Sequence, residues 1–170
     1  MNILIFILLI TLIIIVLHNY YKSNTIISNN IFCNGIGHND FIAEWLYILN
    51  IANTIKLFTN DFKIKLKNNI KIEIILSLKK IIMALDNLSN NLNNFLEKIK
   101  NIEPKNFCSN DIRIKFLNKI EFFNLETNFL IINLTDFFIF IYNINEHNTN
   151  SYFQEDEQKE IKNFMNKIII

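Results

Sequence analysis

The 170 residues carry a formal charge of +1 at pH 7, which leaves no electrostatic footprint for nucleic acid or for a polybasic lipid contact. The seventeen basic residues include a single arginine, Arg113, so the forked donors that read phosphates and bases are lacking as well. Usage is lopsided, with 36 Ile and 30 Asn against 3 Ala, 2 Gly, 1 Val and 1 Pro, which points to A/T-rich codons and so to a large insect virus, an endosymbiont, an apicomplexan or an organelle.

Residues 1–17 (MNILIFILLITLIIIVL) hold no charge and only two polar side chains, Asn2 and Thr11. No Lys or Arg precedes the run, and no small-x-small pair follows it, so it does not read as a cleaved signal peptide. A spanning helix needs about 20 residues, and positions 2–21 supply that length, with Tyr20 and Tyr21 at the headgroup level and Lys22 able to snorkel. The expectation is a retained transmembrane anchor over 1–21. The bulk of the chain is then expected to be extracytosolic or on a virion surface. Residues 22–40 are polar, contain Gly35 and Gly37, and read as a linker to a helical domain over 41–170. Two glycines without a third and without a preceding strand do not make a dinucleotide-binding loop.

A first helix is expected over 41–58 with Asp40 as its cap. Ile42, Trp45, Leu46 and Leu49 would lie on its apolar face, with Trp45 as a core anchor. Segment 62–74 supports two readings. Apolar residues alternate with lysines, as in a β-hairpin turning at residues 67–69. The same residues belong to a stripe at helical spacing: Phe62, Leu66, Ile70, Ile74, Leu78, Ile81, Leu85, Leu88, Leu92, Phe95, Ile99 and Ile102. Twelve positions in register outweigh the like-charge cost of Lys63, Lys67 and Lys71 at i, i+4 spacing, so helix is expected throughout. Pro104 ends it. Asn110 or Asp111 then caps a third helix with Ile112, Phe116, Leu117 and Ile120 inward. Residues 128–144 are apolar nearly all round and are expected to form a central core helix, since Asn133 and Asp136 oppose burial in lipid. Residues 151–160 are acidic and expected to be solvated, and 161–170 end in a short helix or an apolar tail. The fold class is therefore all-α: an N-terminal anchor followed by a small helical bundle.

Reactive chemistry is sparse. Cys33 and Cys108 lack any CxxC spacing and so indicate neither zinc nor a redox motif. Each precedes an expected helix. Outside a reducing compartment they are a possible disulfide, closing a loop of about 75 residues worth roughly 4 kcal/mol. Cys33, His38, Asp40 and Glu44 form the one local cluster of reactive types, without the base geometry or oxyanion site that nucleophilic catalysis needs. No catalytic residue, metal site, cofactor or small-molecule substrate is expected. Two glycosylation triplets, at Asn87 and Asn133, match the number that chance supplies at this Asn content.

The layout, a short anchor and a small helical ectodomain, resembles that of envelope and entry-accessory proteins of A/T-rich insect viruses. That resemblance implies a structural or protein-interaction role at a membrane or envelope, with lipid contacted through 1–21 and other membrane or envelope proteins as partners. The alternatives are an accessory subunit of an organellar membrane complex and a helical effector secreted after signal cleavage.

Overall fold

The computed structural model describes residues 38–168 apart from positions 104, 106 and 149. The expected anchor over 1–21, the expected linker up to residue 37 and Cys33 lie outside these residues. The described chain is an all-helical bundle of four elements: α1 (His38–Asn68), α2 (Lys71–Lys100), α3 (Asn110–His147) and α4 (Glu155–Ile168). Among the described residues there is no strand; an isolated antiparallel bridge joins Ile70 and Tyr152.

The long apolar stripe does become core, but it is folded back on itself rather than continuous. α1 ends at Asn68, and Asn69 takes a left-handed conformation at φ 57°. Its backbone N–H donates to Lys65 O at 3.1 Å, which closes the helix in the manner of an αL cap. Asparagine tolerates this region better than most residues. The chain reverses there, and α1 and α2 pack as an antiparallel pair. Both expectations for 62–74 are thereby corrected. It is not a β-hairpin, and it is not one uninterrupted helix; it is the corner of a helical hairpin. The periodic stripe survived the corner because both helices present the same spacing to a shared core. Phe62 and Leu66 on one side, and Ile74 through Ile99 on the other, are buried.

α2 sits between α1 and α3, and its buried row from Ile74 to Ile99 touches both. α2, not the 128–144 segment, is thus the central helix. At one end Trp45 from α1, Phe95 from α2 and Phe116 from α3 converge with ring centroids 5.6–6.3 Å apart, and Phe41 meets Phe95 edge-on. Trp45 is the core anchor expected of it. Leu49 of the expected face is buried with Trp45, and so are Ile48, Ile51, Ala52 and Ile55, while Leu46 is exposed. α1 also begins by His38, which places Asp40 inside the helix rather than at its cap.

α3 is one helix of 38 residues, where two segments were expected. Its cap is Ser109, whose Oγ accepts from Ile112 N at 3.1 Å, so the cap lies one residue before the expected pair. Polar residues do not interrupt it because a neighbour satisfies them. Ser89 of α2 places its hydroxyl 2.7 Å from Asn128 Oδ1 and 3.0 Å from Asn124 Oδ1. Thr127 is fully buried and returns its hydroxyl to Phe123 O at 2.8 Å. α4 lies on the C-terminal half of α3, where Phe164 stacks on Phe140 at 4.3 Å and beside Phe137.

Candidate functional site

Three features qualify for attention: the loop carrying Cys108, a buried ionic knot, and the outer face of α3.

Cys108 is half-buried in the loop between α2 and α3, beside the buried Phe107, and it is bonded in a disulfide. The loop is further fixed by α2 and α3. Arg113 Nη2 reaches Lys100 O at 3.5 Å and its guanidinium lies 5.6 Å from the Phe107 ring. Lys100 approaches Glu121 of α3 at 3.3 Å and Glu97 at 3.4 Å. Hydrogen bonding to Glu121, reinforced by Glu97, holds the Lys100 ammonium above its ordinary pKa. Of the sequence cluster around Cys33, the described part gives Glu44 a structural partner: both its oxygens accept from Lys98 Nζ at 2.9 Å, tying α1 to α2. Among the described residues no group of three His, Cys, Asp or Glu is placed to hold a metal ion.

The ionic knot was missed by sequence reasoning, which placed 151–160 in solvent. Lys71, the first residue of α2, is 1% exposed, and Glu157 in the first turn of α4 is 7% exposed. Lys71 Nζ donates to Glu157 Oε1 at 2.8 Å and to Asn148 O at 3.2 Å, and lies 5.3 Å from the Phe153 ring centroid. Glu157 is fully engaged. Its Oε1 also accepts from Asn148 Nδ2 at 2.8 Å, and its Oε2 accepts from Gln154 N at 2.7 Å. The last bond is half of a capping box, with glutamate at the third helical position reaching back to the residue before the helix. Backbone bonds complete the seam. Lys71 N donates to Ser151 O at 3.0 Å, which satisfies a donor at the start of α2 that no side chain caps. Asn69 Nδ2 donates to Phe153 O at 3.2 Å. Every charge in the knot has a partner within the fold. Its chemistry is that of a latch: it pins the α3–α4 connection to the α1–α2 corner. The sequence did hold a signal for it, an acidic triplet at 155–157 ahead of an apolar residue, Ile161.

Among the described residues, the outer face of α3 is the feature without a structural partner of its own. Phe122, Leu125, Phe129, Ile132 and Ile139 recur at spacings of three and four, or one heptad, and are exposed to between 50% and 68%. Tyr142 flanks the row, stacked on Phe138 at 6.0 Å. A hydrogen bond to Glu146 holds the Tyr142 hydroxyl above its ordinary pKa of 10.0. The inner face, Phe116, Ile120, Phe123, Leu130, Leu134, Phe137, Ile141 and Ile144, is buried. α3 is therefore apolar on two sides and covered on one. By length and composition it is the described helix that could cross a membrane, a test that the core helix of a soluble protein also passes. Scattered apolar residues on a surface need no explanation, but a contiguous row marks a contact site.

Comparison with family models, curated proteins and solved structures gives no match.

Proposed function

We propose that this chain is a single-pass, N-terminally anchored helical protein acting as a structural or protein-interaction component of a membrane or viral envelope. The observation that carries the binding half of this reading is the outer face of α3, a row of large apolar side chains left exposed on a bundle whose ionic knot and Lys98–Glu44 contact are satisfied internally. The uncharged run over 1–17 carries the location half. On this reading residues 1–21 sit in lipid and the bundle projects from the membrane into an oxidising space, where Cys108 pairs with the chain's other cysteine, Cys33.

N-terminal sequencing of the protein recovered from purified virions or membranes tests the reading. A mature chain that still begins at or near Met1 and co-purifies with the membrane supports it. A chain beginning near residue 25 and free in the medium contradicts it and favours a secreted effector.

A further inference from the structure

We propose that the outer face of α3 binds the same face of a second copy of this chain, with the two helices antiparallel about a two-fold axis midway between Phe129 and Ile132. The proposal rests on reading this face as a binding surface, and it names the occupant.

The row is close to a palindrome in chemistry. About that midpoint Phe129 meets the partner's Ile132, and Phe122 meets the partner's Ile139. Four residues further out Asn118 meets the partner's Asn143. At the ends Lys115 meets the partner's Glu146. All of these positions are exposed. Lys115 makes no ion pair among the described residues, and Glu146 is held in place by Tyr142. A two-fold interface requires such self-complementarity, because each patch must serve as its own partner. The parallel arrangement fails the same test: it would set Lys115, Asp136 and Glu146 each against its own copy. Sliding the antiparallel pair by one heptad one way sets Phe122, Leu125 and Ile132 against the partner's Glu146, Asn143 and Asp136; sliding it the other way keeps two kinds of apolar pair, Phe122 with Ile132 and Leu125 with Phe129, but breaks the Lys115–Glu146 pair and sets Lys115 against Ile139.

Size and period agree with this occupant. Phe122 to Ile139 spans 17 residues, about 26 Å of helix. Six side chains exposed to 44–68% offer on the order of 100 Å² each, or roughly 600 Å² per copy before the polar rows are added. A standard interface needs about 800 Å² per partner. A strict 3–4 spacing over two and a half turns of the heptad is the seam of a left-handed helix pair crossing near 20°. Asp136 is the one mismatch, since it meets the partner's Leu125. A single polar residue in such a seam fixes register and lowers affinity.

The test is the mass of the full-length protein in mild detergent, by sedimentation equilibrium with the detergent contribution matched out. The wild type is expected to be a dimer at micromolar concentration. Lys115→Glu and Glu146→Lys should each weaken it about tenfold, since two symmetry-related pairs turn repulsive, and the double variant should recover to within about threefold. Asp136→Leu should tighten it at least tenfold. Phe129→Asp should leave a monomer, with helical content unchanged because the position is exposed; if that variant does not fold, Ile132→Lys serves the same purpose. A wild-type monomer overturns the proposal, as does a dimer indifferent to Phe129→Asp and to the charge swap. A monomer that becomes this dimer only when residues 1–21 are deleted also overturns it, because the chain's own N-terminus then covers the face. So does a face whose variants instead lower adhesion to phosphatidylcholine vesicles. The reading as an anchored protein fails separately, by release from membranes at high pH whatever the mass.

Discussion

Replacing Glu157 by leucine should destabilise the bundle by about 3–5 kcal/mol, the cost of leaving a buried charge without its partner. The structure sets the magnitude. Lys71 is 1% exposed, and Glu157 is its only anionic contact among the described residues. After the substitution the ammonium keeps Asn148 O and the Phe153 ring, neither of which carries a full charge. Asn148 Nδ2 and Gln154 N lose their acceptor at the same time. Lys71→Met should cost less, about 3 kcal/mol, because Glu157 retains both of those donors and the start of α4. The double variant Lys71→Met, Glu157→Leu should lie within about 2 kcal/mol of wild type, since an apolar pair of similar volume replaces two desolvated charges. Urea unfolding followed by circular dichroism reads all four proteins, and the cycle isolates the coupling, expected at about 4–6 kcal/mol. Single variants that each cost under about 1 kcal/mol, or costs that simply add, would refute the claim that the knot is buried and paired.

Leu92 is fully buried on the central helix, so Leu92→Ala should cost about 2–5 kcal/mol and Leu92→Asp should unfold the bundle, whereas Asn90→Asp, on the exposed side, should change stability by only a few tenths, all by the same denaturation assay. Asn69→Ala should cost about 1–2 kcal/mol, from a left-handed backbone and the lost bond to Phe153 O, while Asn69→Gly loses the same bond without the backbone penalty and should cost about 1 kcal/mol less; equal effects would contradict the αL corner. With Cys33 and Cys108 paired, either Cys→Ser variant should lose up to roughly 4 kcal/mol and the double variant no more, and alkylation of the native protein under non-reducing conditions should find no free thiol. Tyr142 keeps its proton above pH 10.0 because Glu146 accepts from it and repels the phenolate, so this contact supports the fold fully below pH 10.0 and is lost as pH rises through the higher value; Glu146→Gln should shift the ultraviolet titration back toward 10.0.

The helical class and most of the core were legible because burial follows spacing. Every stripe residue from Ile74 to Ile99 is buried, and so are Phe62 and Leu66. What spacing does not carry is direction. A helix that reverses at Asn69 and one that runs straight show the same pattern, because both obey the same period against the same core. The signal for the corner was a pair of asparagines, Asn68-Asn69, and thirty asparagines in the chain diluted it. The knot was hidden for a different reason. Lysine and the acidic residues read as solvated by default, and only the meeting of residues 71 and 157, far apart in sequence, shows that two of them are not. The apolar character of 128–144 was plain in the sequence. Reading it as the central helix followed from assuming that apolar on all sides means covered on all sides. Phe129, Ile132 and Ile139 are instead left on the outside, and that remainder is the surface proposed to bind.

Extraction of membranes with alkaline carbonate separates an anchored chain from a peripheral one. The full-length protein should remain in the membrane pellet, and the same chain lacking residues 1–21 should move to the supernatant with its helical content intact. Release of the full-length protein, or retention of the shortened one, would contradict an account in which the N-terminal run is the anchor and the bundle is the part that meets other proteins.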